Sequence, residues 1–122
     1  MTWAYHATST HRLLEIVAYG LEPIDPILVG LEQPFGVYFS PLPRLALQWN
    51  NVLLRFPWPD EYEEDPYLGA TLIDGEVVPT GFYTEQSIPS ENIDVKVGRR
   101  WIPIYLLLAG MTVRQIRERR DA

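Results

Sequence analysis

The stretch Gly36-Val37-Tyr38-Phe39-Ser40-Pro41 restricts the fold more than any other, because it asks a strand to pass directly into a helix. Val37, Tyr38 and Phe39 are strand formers, and Ser40 followed by Pro41 reads as a hydroxyl cap ahead of a proline in the first helical turn. Such a junction holds a strand-end side chain rigidly and turns free backbone amides outward, so ligands are often found there. An aromatic at a strand end also serves as a plain core residue, and Tyr38 alone decides nothing. What strengthens the reading is Tyr5-His6-Ala7-Thr8, which has the same strand-then-helix form.

The remaining pattern places these junctions among short elements. Trp3 to His6 is the expected first strand, with Thr8, Ser9 and Thr10 capping a helix from His11 to about Tyr19. Leu13, Ile16 and Val17 give that helix an apolar face, and Gly20 suits a left-handed stop. Ile24 to Pro34 reads as an ordered loop able to fold over a site. A second helix is expected after Ser40, with Leu42, Leu45, Ala46 and Trp49 on one face. Val52 to Phe56 is almost wholly apolar, which predicts a central strand stopped by Pro57 and Pro59.

Trp58 to Gly69 repeats at neither a helical nor a strand period, so it is expected to be a surface loop with Trp58 exposed, a possible partner surface. Asp74-Gly75 between Thr71-Leu72-Ile73 and Glu76-Val77-Val78 is a two-residue hairpin signal. Phe82 to about Gln86 is a further strand and Ile88 to Asn92 a turn. Ile93 to Val97 and Trp101 to about Leu107 are expected to pair around Gly98-Arg99-Arg100. Thr112 with Gln115 forms a capping box for a basic terminal helix, residues 112–122. The whole, residues 1–122, is expected to be one domain, and at 47% hydrophobic content it can bury a proper core.

Charge and composition narrow the chemistry. The net charge of −6 argues against a generic nucleic-acid binder. Its distribution is uneven, with five acids from Asp60 to Asp65 and seven of ten basic residues from Lys96 onward. There is no cysteine, and His6 and His11 are the only imidazoles, so no metal site is expected. No apolar run approaches the ~18 residues of a membrane span, and the N-terminus lacks a signal-peptide succession. The expectation is a soluble cytoplasmic protein. Glycine-rich phosphate loops, a GxSxG elbow and paired-histidine metal motifs are all missing.

Tyr5-His6-Ala7-Thr8, a helix ending Gly20-Leu21-Glu22-Pro23, and Gly36-Val37-Tyr38-Phe39-Ser40 together resemble the ADP-ribosyltransferase superfamily. The first half of the chain carries this resemblance. It implies an α+β fold of two small, twisted, mostly antiparallel sheets with a cleft between them and few helices. It further implies that NAD is the co-substrate, that nicotinamide is displaced, and that the enzyme is a glycosyl-group transferase. On that pattern His6 bonds the adenosine-side ribose, the Ala7 backbone meets the nicotinamide amide, and Tyr38 stacks on the nicotinamide ring. Thr8 and Ser40 add hydroxyl contacts. Ala7 stands where family members commonly carry glycine.

The resemblance also calls for a carboxylate near the nicotinamide ribose, where positive charge develops as the ring leaves. Glu85 is the first candidate, since it precedes Ile88-Pro89-Ser90-Glu91-Asn92-Ile93, a turn similar to the one that follows the family's third motif. At the more usual distance from that turn stand Thr80 and Gly81, neither of them an acid. Asp65 is the second candidate, because Tyr62-Glu63-Glu64-Asp65-Pro66 resembles the acidic loop of the rifamycin-modifying branch, with Glu64 a weaker one beside it. Gly81 to Pro89 is similar to a segment of RNA 2′-phosphotransferases, but those enzymes' basic motifs are missing. The acceptor of ADP-ribose stays open: protein, nucleic acid, small molecule or water. A non-catalytic module binding a nucleotide or a partner protein, and a toxin or immunity-type protein, are the readings from other classes.

Overall fold

The computed structural model describes residues 2–23, 36–47, 50–65 and 70–109. The expected loop from Ile24 to Pro34, Trp49 and the basic helix of 112–122 lie outside the described residues. The chain folds as α+β, with short helices and mostly antiparallel strands in two main sheets and a separate hairpin.

The first sheet is built around the apolar run predicted to be central. β3 (Val52–Pro57) lies between β1 (Trp3–Thr8) and β8 (Asp94–Val97), and β9 (Arg100–Pro103) closes the order β1-β3-β8-β9. Alternation decides its faces. Ala4, Val52, Leu54, Phe56, Val95 and Val97 point inward, and α1 (Leu13–Tyr19) lays Leu13, Ile16 and Val17 into the same core. The outward face carries Trp3, Tyr5, Arg55, Asp94 and Trp101. Arg55 donates from Nε to Asp94 Oδ2 at 3.0 Å, and its guanidinium carbon lies 4.0 Å from the Trp3 ring centre and 4.5 Å from that of Trp101.

The second sheet has the order β2-β7-β4, from β2 (Val37–Phe39), β7 (Phe82–Thr84) and β4 (Glu63–Glu64). Its inner face is aromatic. Phe39 meets Phe56, Trp58 and Phe82 at ring separations of 5.8, 4.9 and 6.0 Å, and Tyr62 packs on Trp58 and Phe82. The third unit is the hairpin of β5 (Ala70–Ile73) and β6 (Glu76–Pro79), turned by Asp74 at φ +52° and Gly75 at φ +82°. Two positive φ values are what a type I′ turn demands, as the Asp-Gly signal predicted.

Several expectations are corrected. Trp58 is half-buried in the aromatic cluster, and the acidic stretch it begins is not merely a loop, since Glu63 and Glu64 pair with β7 and Pro59 and Asp65 are buried. Two paired residues are too few for a strand period to register in the sequence. The second helix, α2 (Pro43–Ala46), starts at Pro43 rather than Pro41. Pro43 forces Leu42 into an extended conformation (φ −112°, ψ 112°), so the helix cannot begin earlier. Ser40 Oγ still works locally, accepting the Leu42 amide at 3.1 Å.

The first helix opens with a 3₁₀ turn at Thr10–Arg12, and neither Ser9 nor Arg12 caps it by a side-chain bond. Gly20 has the expected positive φ, but at φ +76° and ψ −169° it is extended rather than left-handed helical. It thereby delivers Leu21 to Ile88, where the two residues exchange backbone bonds of 2.9 Å. β9 ends at Pro103, short of Leu107, and a 3₁₀ segment, Ile104–Ala109, follows. Among the described residues no helix is long and apolar enough to cross a membrane, and no group of three or more His, Asp or Glu is placed to hold a metal ion.

Candidate active site

The two junctions singled out in the sequence lie side by side. Tyr5 and Ser40 exchange backbone hydrogen bonds, N to O at 2.9 Å in each direction, which ties the end of β2 to β1. The next antiparallel partners along the two strands would be Ala7 and Tyr38, and they do not pair. Instead the Tyr38 carbonyl accepts a bond from His6 Nδ1 at 2.5 Å, so a side chain replaces the ladder and the sheets part at this point.

That bond fixes the state of the imidazole. A carbonyl only accepts, so Nδ1 carries the proton and Nε2 is left as the ring's acceptor. Burial pushes the His6 pKa below its ordinary 6.5, the bond to Tyr38 works against this, and the positive charge of Arg12 adds to the lowering. His6 is therefore neutral at pH 7. Backbone groups alternate sides along a strand, and those of Tyr5 face Ser40. The amide and carbonyl of Ala7 consequently face the β2 side of β1, although Ala7 does not line the pocket there.

His6, Thr8, Arg12, Glu22, Gly36 and Tyr38 line a pocket of about 60 Å³ at this split. It has room for a few water molecules and is well below the ~300 Å³ of ordinary ligand pockets, so a large ligand would have to leave most of itself along the open cleft. Gly36 permits the close approach of β2 and β7, because a Cβ there would come within 2.9 Å of the Thr84 carbonyl oxygen. Glu22 accepts the Ser87 hydroxyl at 2.8 Å. Thr8 is buried at the pocket wall. Ser40 is buried too, but it serves the chain turn and does not line the pocket.

Beyond Tyr38 a row of side chains crosses the second sheet. Tyr38 is directly opposite Tyr83, with ring centres 5.6 Å apart, and Tyr83 is directly opposite Glu63. The Tyr83 hydroxyl donates to Glu63 Oε2 at 2.6 Å. This bond, with burial and the charges of Glu63, Glu85 and Asp65, pushes the Tyr83 pKa up to about 12.

The acids nominated from sequence are distributed unequally around this row. Glu85 is exposed just past the end of β7, and its charge reaches Tyr83. Asp65 is 3% exposed and donates its amide to the Gly81 carbonyl at 2.9 Å, which extends the β4–β7 register by one residue. It thus stands beside the position where the resemblance expects an acid and the chain has glycine. Glu64 pairs with Phe82 and belongs to the opposite face from Tyr83.

Glu63 and Tyr83 were not nominated from the sequence. Alternation across Glu63-Glu64-Asp65 was the available signal, since it puts the first and third acids on one face.

The fold and cleft define a small α+β protein whose split sheets hold a neutral histidine and a tyrosine at their parting. No protein-family model matches the chain, and no curated protein and no solved structure matches it either.

Proposed function

We propose that the chain has an ADP-ribosyltransferase-like fold and transfers ADP-ribose from NAD, releasing nicotinamide. The observation that carries this reading is the bond from His6 Nδ1 to the Tyr38 carbonyl at the point where β1 and β2 separate. It brings both halves of the resemblance to one opening and leaves three recognition groups there. His6 Nε2 accepts from a ribose hydroxyl, the Ala7 backbone offers an amide and a carbonyl to a carboxamide, and the Tyr38 ring offers a flat face to the pyridinium. Thr8 adds a hydroxyl at the wall, and Arg12 supplies a cation for the pyrophosphate. The cleft orients the dinucleotide, and a carboxylate next to the ribose stabilises the oxocarbenium-like transition state. Asp65 and Glu85 both lie near enough to Tyr83 for their charges to act on it.

A second reading, a nucleotide- or partner-binding module without catalysis, draws support from Gly81 at the usual place of the acid and from the burial of Asp65. Proton NMR of NAD mixed with the protein separates the two. Broadened nicotinamide signals together with growing free nicotinamide support the transferase, whereas broadening alone supports the module. His6→Ala and Tyr38→Ala are each expected to abolish the broadening while the domain stays folded. An equal loss of thermal stability in both would instead assign the two residues to packing.

A further inference from the structure

We infer that Glu63, presented by Tyr83, is the carboxylate that faces the reacting sugar; this rests on the dinucleotide reading of the cleft. Position and freedom distinguish it from the acids the sequence nominates. Glu63 shares a face with Tyr38 and Tyr83, one strand beyond Tyr83 and two beyond Tyr38 in the register Tyr38–Tyr83–Glu63. Its Oε2 is held at 2.6 Å by a phenol that is itself fixed in the ladder and packed on the Tyr38 ring. Oε1 is left to accept from a sugar hydroxyl. Glu63 is exposed, whereas Asp65 is buried and Glu85 lies past the last residue of its strand. The tyrosine steers the carboxylate and remains protonated throughout.

The step balances with water as acceptor. The bond between ribose C1′ and the nicotinamide nitrogen breaks, and its electron pair goes to the ring nitrogen, cancelling the pyridinium charge. Water oxygen then bonds to C1′ and gives up a proton, which Glu63 takes and passes to solvent. The products are nicotinamide, ADP-ribose and one proton. Another hydroxyl or amine acceptor would take the place of water without changing the rest.

The test compares the wild type with Glu63→Gln, Glu63→Asp, Asp65→Asn and Glu85→Gln at stoichiometric protein and NAD, following free nicotinamide by proton NMR. Glu63→Gln is expected to keep the line broadening of bound NAD and to lose about 100-fold or more in nicotinamide release. Glu63→Asp should recover part of it, and Asp65→Asn and Glu85→Gln should stay within about tenfold of wild type where they fold. Wild-type release in Glu63→Gln, with loss confined to Asp65→Asn or Glu85→Gln, overturns the assignment and leaves the dinucleotide reading standing. A wild type that binds NAD yet releases no nicotinamide over a day also overturns it, since water is always present as acceptor. A wild type that leaves the NAD signals unchanged overturns the dinucleotide reading itself and the role of Glu63 with it.

Discussion

Tyr83 stands directly opposite Tyr38 in the β2–β7 ladder, with ring centres 5.6 Å apart, and its hydroxyl donates a hydrogen bond to Glu63. With the bond from His6 to the Tyr38 carbonyl, this makes a continuous run of contacts from the inner face of the first sheet to the outer strand of the second. Cross-strand pairing sets the positions, and two hydrogen bonds set the orientations. No residue in the run belongs to the helices.

The run makes one tyrosine spectroscopically distinct. Tyr83 is raised from 10.0 to about 12, first by its bond to Glu63. The folded state therefore holds the phenol proton more tightly than the unfolded chain does, and this contribution to stability is complete below pH 10 and lost as pH rises towards 12. Absorbance titration of the tyrosinates should show Tyr83 as a late-titrating group. In Glu63→Gln that group should move back towards 10, and in Tyr83→Phe it should vanish.

On the outward face of the first sheet, Arg55 fills the gap between Trp3 and Trp101 and bonds Asp94 at 3.0 Å, with the two charged side chains only 21% and 25% exposed. Arg55→Ala removes two cation–π contacts and leaves a half-buried carboxylate without its partner, a loss of about 2 kcal/mol. Arg55→Lys keeps the charge but not the flat stacking surface, so it should cost about 1 kcal/mol. Urea unfolding of the two variants checks the order. Since the cleft proposed for NAD lies on the other side of β1, nicotinamide release in both should be unchanged where they remain folded.

Gly20 is required for two independent reasons. Its conformation, φ +76° and ψ −169°, is one that side chains rarely adopt, and an added Cβ would collide with the Ile88 carbonyl oxygen. Gly20→Ala should cost about 1–3 kcal/mol from backbone strain alone, with the collision added to it. The Leu21–Ile88 bridge is what the variant should lose first. Amide hydrogen exchange is the suitable measurement, with faster exchange expected at Leu21 and Ile88 than in β3, where protection should persist.

Much of the fold was legible because it rests on local signals. The apolar run at Val52 gave the central strand, Asp74-Gly75 the hairpin, and the pairing of Ile93–Val97 with the chain after Arg100 followed from alternation. His6, Thr8 and Tyr38 could be picked out because each lies on a junction with its own sequence form, and the structure brings the three to one pocket. Glu63 and Tyr83 were not, for a physical reason. Their meeting depends on β4, a strand of two residues that exists only because β7 offers it an edge, and no window of sequence contains both partners. The start of α2 escaped for a different reason: Ser40-Pro41 is the stronger capping signal, but Pro43 holds Leu42 extended and so moves the start two residues on.

His6 ties the cleft to pH. Its pKa is lowered in the fold, chiefly by burial, so the unfolded chain takes up a proton near 6.5 while the folded one does not. Above 6.5 both states are neutral and the residue contributes no pH dependence. Below it, stability falls by at most about 1.4 kcal/mol per pH unit until the folded imidazole is protonated too. His6→Asn can keep a donor to the Tyr38 carbonyl without titrating. The difference between wild type and this variant in unfolding free energy should therefore grow in the variant's favour from pH 7 to pH 5, with the carboxylates common to both cancelling. NAD binding in the wild type should hold over that interval and weaken only at the lower pH where the folded imidazole takes up its proton, because a protonated Nε2 donates and can no longer accept from a ribose hydroxyl. If His6→Asn loses stability on acidification as steeply as wild type, the imidazole is not the group that senses pH in this fold.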